Sequence, residues 1–211
     1  LICSMKSTSY YTVELNGFLR VKNMAKTKMS NTRTMNYPES SKNVRARTAF
    51  AKQELSCLRG VFERTFGEQE GFNEAIALAQ KDAVTETGTV FSLDYSKLTI
   101  SMGALVPITD IEIKIINANS VRMSWNTDLL HGASPNDMIS WVFLFPDTKT
   151  VIHRQNCISR DAGSIGIELP FKKTNQTLHC WAYLSLHNTY LFSPASYLQI
   201  TDLQSKLTDK K

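Results

Sequence analysis

The stretch Phe91–Leu105, Phe-Ser-Leu-Asp-Tyr-Ser-Lys-Leu-Thr-Ile-Ser-Met-Gly-Ala-Leu, is where the hydrophobic period of the chain changes. Before it, apolar residues recur at helical spacing. After it they alternate, which predicts strand after strand. Asp94-Tyr95-Ser96 is predicted to turn the chain into the first strand of a sandwich, with Leu98, Ile100 and Met102 facing the core. Gly103 is expected to let that strand bend or bulge ahead of Pro107. Asp94 and Tyr95 read as a hydrogen-bonded corner, and the whole stretch as a structural hinge between two halves with no active site in it.

Downstream, Ile111, Ile113 and Ile115 alternate, Asn117-Ala118-Asn119-Ser120 turns, and Val121, Met123 and Trp125 return, predicting a hairpin. Met138 to Phe145 is apolar on both faces, as a central strand should be. Pro146-Asp147-Thr148 leads into Val151 to Arg154. Ile165, Ile167 and Leu169 alternate next, Leu178 to Leu186 supplies the last long strand, and Ser196 to Ile200 a short final one. Seven or so short strands with turn signals about every ten residues suggest an immunoglobulin-like or fibronectin-like sandwich.

Upstream, Ser40 or Ser41 can cap a helix from about Lys42 to Phe66, with Val44, Ala51, Leu55, Leu58 and Phe62 on one stripe. Gly60 weakens it and Gly67 ends it. A second helix is expected from Asn73, with Phe72, Ile76, Ala79 and Ala83 on one face and Gly88 at its exit. Earlier still, Tyr10 to Val21 reads as a β-hairpin, because Asn16-Gly17 suits a two-residue turn in which both residues need positive φ. A lone hairpin is marginal in water, so it should pair with another strand or subunit. Lys22 to Lys42 lacks apolar periodicity and reads as an extended cationic arm.

The chain has 211 residues, with 42% hydrophobic and 20% charged residues, an ordinary balance for a folded domain. Its formal charge of +5 is uneven. Residues 1–60 hold eleven of the 24 Lys and Arg but only three of the 19 acids, so thirteen basic and sixteen acidic residues remain in 61–211. The basic character belongs to the N-terminal quarter. No apolar run approaches the ~18 residues of a membrane span. The opening Leu1-Ile2-Cys3-Ser4 carries neither an intact signal peptide nor an initiator Met. A truncated N-terminus is therefore expected. The compartment is open, with the cytoplasm favoured by the missing signal peptide.

Chemistry-bearing patterns are sparse. Cys3, Cys57, Cys157 and Cys180 have no CxxC spacing, which argues against a zinc site. Cys157 and Cys180 both fall on expected strands and could meet, but buried free thiols are the preferred reading. His131, His153, His179 and His187 show no metal-binding spacing. His179 alternates with Trp181, and a hydrogen-bonded structural histidine is expected there. Gly163-Ser164-Ile165-Gly166 is not a nucleophile elbow, since it precedes a strand where that motif needs a helix. Asp94, Asp110, Asp128, Asp137 and Asp147 sit near strand ends, where acids commonly form turns. Asn175-Gln176-Thr177 matches a glycosylation sequon, a pattern short enough to arise by chance. Of Trp125, Trp141, Trp181 and Tyr183, strand spacing places at least one outward if the others fill the core, but core packing is the preferred reading. No catalytic residue, cofactor site or metal site is assigned.

These segments resemble an uncharacterised bacterial family, domain of unknown function 6266. The resemblance rests on Tyr10-Tyr11-Thr12-Val13 with Asn16-Gly17 and Arg20, Arg45-Ala46-Arg47 with Phe50, and the pivot Asp94-Tyr95-Ser96-Lys97-Leu98-x-Ile100-Ser101-x-Gly103-x-Leu105. Ser124-Trp125, Asp137, Leu169-Pro170 and Ser196-Tyr197-Leu198 follow in order. It covers nearly the whole chain and departs only at the start, where the family looks glycine-rich. It implies no activity, so no functional residue is carried over.

The expected fold is α+β: a hairpin and basic arm over 1–41, a two-helix segment over 42–88, an antiparallel β-sandwich over 89–205 and a polar tail over 206–211. The expected function is a non-enzymatic assembly or protein-binding module. Tyr11, Arg20, Lys22, Lys26, Lys28 and Arg33 are the candidate contacts to a partner or to another copy. The alternative is nucleic-acid binding through the same arm, where cations interleave with aromatics. A glycan-binding or glycan-active sandwich is third.

Overall fold

The computed structural model describes residues 39–88, 90–117, 119–129, 132–169, 177–186 and 191–200. The N-terminal hairpin and arm, the sequon's Asn175 and Gln176, His131, His187 and the C-terminal tail lie outside the described residues.

The first helical stretch forms as expected but in two pieces. Helix α1 spans Glu39–Glu54, a 3-10 turn spans Leu55–Leu58, and helix α2 spans Arg59–Phe66. Leu55 and Leu58 lie in the tight turn and are fully buried, as are Ala51 and Phe62. Val44, placed on that stripe by sequence, is instead 59% exposed. Helix α3 spans Gly71–Asp82 and begins two residues before Asn73. The reason is steric. A Cβ on Gly71 would stand 2.6 Å from the Phe62 carbonyl oxygen, so only glycine lets α3 start against α2.

Helix α3 ends at Asp82, and Gly88 serves a different purpose from a helix exit. Strands β1 (Val84–Thr87) and β2 (Val90–Leu93) pair antiparallel, and Gly88 adopts φ +65° between them. The expected boundary at 88/89 therefore falls inside a hairpin. α1 is tied to it by hydrogen bonds from Arg47 Nη2 to the Val84 carbonyl and from Asn43 Nδ2 to Glu86 Oε1.

Seven further strands make two antiparallel sheets. β3 (Glu112–Asn117), β4 (Ser120–Ser124) and β7 (Ser164–Glu168) form one in the order β3-β4-β7. β5 (Met138–Phe145), β6 (Thr150–Ser159), β8 (Leu178–Ser185) and β9 (Ser196–Ile200) form the other in the order β6-β5-β8-β9. The two apolar faces of β5 now have a cause. Ile139, Trp141, Phe143 and Phe145 pack with Val121, Met123 and Ile167 of the smaller sheet. Val142 and Leu144 pack with Leu55, Phe62 and Ile76 of the helices. β8 divides in the same way, with Cys180 and Ala182 on the sandwich side and Trp181 and Tyr183 on the helix side. The four-stranded sheet is thus the middle of three layers.

This arrangement corrects the reading of Phe91–Leu105. The segment after Asp94 is a 3-10 turn, Tyr95–Lys97, followed by extended chain that joins no sheet. The first sandwich strand is β3. Leu98 and Ile100 are buried in the helix-side core, but Met102 is 42% exposed. Three bonds hold the segment: Thr65 Oγ1 to the Ile100 carbonyl at 2.7 Å, Ser101 Oγ to the Ser193 carbonyl at 2.8 Å, and Leu105 N–H to the Phe192 carbonyl at 3.1 Å. Leu105 and Ile108 then join the sandwich core. The stretch carries the chain from one core to the other. Gly103 is required because its α-carbon passes so close to Phe192 that a Cβ would lie 2.0 Å from that carbonyl oxygen.

β5 and β6 slip register between Ile139 and Trp141. Asn156 opposite the slip takes φ +49°, its N–H donates to Ser140 Oγ at 3.1 Å, and its Oδ1 accepts from Ser185 Oγ. The bulge's polar atoms are thereby satisfied inside the sheet.

Candidate functional site

A sandwich of two sheets has two open sides, and here they differ. On the side of β3 and β9, the extended chain before β3 lies alongside β9, with Ser196 Oγ donating to the Ile108 carbonyl at 2.8 Å. The outer edge of β3 also carries an exposed Lys114–Glu112 ion pair at 3.0 Å. Charged side chains of this kind discourage further strand pairing.

On the other side, β6 pairs only with β5 and β7 only with β4, so both present a free strand edge among the described residues. β6 is ten residues long, Thr-Val-Ile-His-Arg-Gln-Asn-Cys-Ile-Ser, and contains no Pro, no Lys and one charge, Arg154. Between the two edges lies a groove of about 820 Å³, bounded by Trp141, Ile152, His153, Arg154 and, from β7, Gly166 to Glu168 with Leu169 beyond it. Trp141 is 4% exposed, and its indole Nε1 has no hydrogen-bond partner among the described residues. A buried donor left unpaired is costly, and Trp181 Nε1 in the helix-side core is in the same state.

Near the groove His153 and Arg64 are committed to structure, whereas Arg154 and Glu168 on its rim are exposed. His153 Nε2 and the Tyr183 hydroxyl lie 2.7 Å apart, and Arg64 Nε donates to Gln155 Oε1 at 3.0 Å. Burial, and then the cations Arg64 and Arg154, push the His153 imidazole down to about 4, so it is neutral near pH 7. Cys157 is a free, half-buried thiol that burial pushes up to about 11, which holds it protonated and unreactive. Cys57 and Cys180 are free too.

His179 is the hydrogen-bonded structural histidine that the sequence suggested. Its Nδ1 is 2.7 Å from the Tyr197 hydroxyl, and its ring stacks on Tyr95 at 4.2 Å between centroids. Trp181 closes this aromatic cluster against Tyr197. Asp94 forms the expected corner, accepting from Ser96 N–H and Ser96 Oγ. Asp137 likewise accepts from Ser134 N–H in a turn, and Asp110 from Asn126. Trp125, Trp141, Trp181 and Tyr183 are all at least 94% buried, so core packing accounts for all four and none faces outward. Trp141, Trp181 and Tyr183 lie on a sheet with a core on each face, which has no outward side for them.

The candidate contacts Tyr11, Arg20, Lys22, Lys26, Lys28 and Arg33 lie outside the described residues. The free edges of β6 and β7 were not legible as a site. Strand order is not readable from periodicity, and only the shortage of charge in residues 150–159 hinted at them.

No helix among the described residues is long and apolar enough to cross a membrane. No curated protein matches the sequence. Solved structures similar to it include the fn3 domain of human collagen alpha-1(XX) chain, at TM-score 0.37 and 9% identity, covering 48% of this chain and 88% of that one. The fn3 domain of human contactin 1 gives TM-score 0.35 and 6% identity over 56% of this chain and 91% of that one. The chicken CNTN1 FN1-FN3 domains give TM-score 0.35 and 15% identity, covering 54% and 36% respectively. A family pattern matches residues 11–191, and the chain belongs to that family, a family of unknown function (DUF6266).

Proposed function

We propose that this protein is a non-enzymatic assembly or protein-binding module whose N-terminal hairpin and basic arm dock on a partner or on another copy. The observation that carries the reading is the pair of strand edges, β6 and β7, that are free among the described residues and face one groove. Main-chain groups at such edges bind an added strand without any catalytic machinery. The sequence-predicted hairpin, which needs a third strand, is a second support for assembly. The committed state of His153 and His179, each bonded to a tyrosine hydroxyl, supports binding rather than acid–base work. Tyr11, Arg20, Lys22, Lys26, Lys28 and Arg33 are the proposed contacts on the arm.

Size-exclusion chromatography with light scattering, on the chain with and without residues 1–37, tests this. The retained part, Pro38–Lys211, is a compact unit. Association that depends on residues 1–37 is expected, and its persistence at raised salt separates strand pairing from phosphate binding by the cationic arm. A monomer in both forms that captures no protein partner would contradict the proposal.

A further inference from the structure

We draw no further inference here: the strongest candidate, the groove between the β6 and β7 edges, buries Ile167 and the Trp141 indole Nε1 behind its wall and sets exposed Glu168 against Arg154 on its rim, and nothing among the described residues shows what covers it.

Discussion

Two glycines should respond in opposite directions to the same substitution. At Gly103 an added Cβ would lie 2.0 Å from the Phe192 carbonyl oxygen and 2.7 Å from its carbon. Ordinary contact begins near 3.4 Å, so one backbone must retreat by about 1.4 Å from the other. The retreat is resisted. Leu105 N–H bonds that same carbonyl, Ser193 N–H bonds Leu184, and Ser193 Oγ accepts from Leu184 N–H at 2.8 Å. Overpacking of this kind together with a lost hydrogen bond predicts that Gly103→Ala costs about 2–4 kcal/mol. For a domain of this size that corresponds to a fall of roughly 5–12 °C in Tm. Gly60 lies in α2 with nothing within 4 Å of its Cβ position, so Gly60→Ala should stabilise by up to about 1 kcal/mol. Urea titrations of both variants measure the pair. A Gly103→Ala variant within about 0.5 kcal/mol of the parent would refute the close crossing of the pivot over Phe192.

Two more predictions concern bonds and protons inside the helix-side layer. Thr65 is buried and its Oγ1 reaches the Ile100 carbonyl, so the near-isosteric Thr65→Val should cost about 1–3 kcal/mol in urea unfolding by leaving that carbonyl unpaired. The His153 imidazole, lowered from 6.5 to about 4, stays neutral in the folded state while the unfolded chain takes up a proton below pH 6.5. Stability is therefore lost as pH falls from 6.5 toward 4, at up to about 1.4 kcal/mol per pH unit from this one group. Denaturation midpoints of His153→Gln should decline less steeply across that window. Burial of His179 lowers its imidazole in the same direction and leaves a residual slope in the variant.

Much of the strand content was legible because half-buried strands write their period into the sequence. Val121, Met123 and Trp125 alternate inward on and just after β4, and Ile165, Ile167 and Leu169 do so around β7. The continuous apolar run of β5 correctly marked a central strand, but the run could not say that helices cover its second face. That information lies in Val142 and Leu144 meeting Leu55 and Ile76, a tertiary fact with no local signature. The β1–β2 hairpin escaped notice because Val84-Thr-Glu-Thr buries only Val84 and so shows no alternation. Leu98, Ile100 and Met102 misled in the opposite way. Their spacing imitates a strand, whereas the segment is held by Thr65 and by the backbone around Phe192 rather than by a neighbouring strand. The groove escaped for a related reason, since an edge is defined by which strand is missing beside it.

The claim on which the fold account rests is that the four-stranded sheet serves as the shared middle layer, joining helices and sandwich into one cooperative unit. A single urea titration followed by two probes tests it most directly. Far-ultraviolet circular dichroism reports the helices α1 to α3, and indole fluorescence reports Trp125, Trp141 and Trp181, which lie on or beside the sheets. Coincident transitions with one midpoint are predicted, because Leu55, Phe62 and Ile76 cannot leave without opening the face that buries Trp181. Loss of the helical signal at lower urea, with the indole signal still native, would contradict the shared layer.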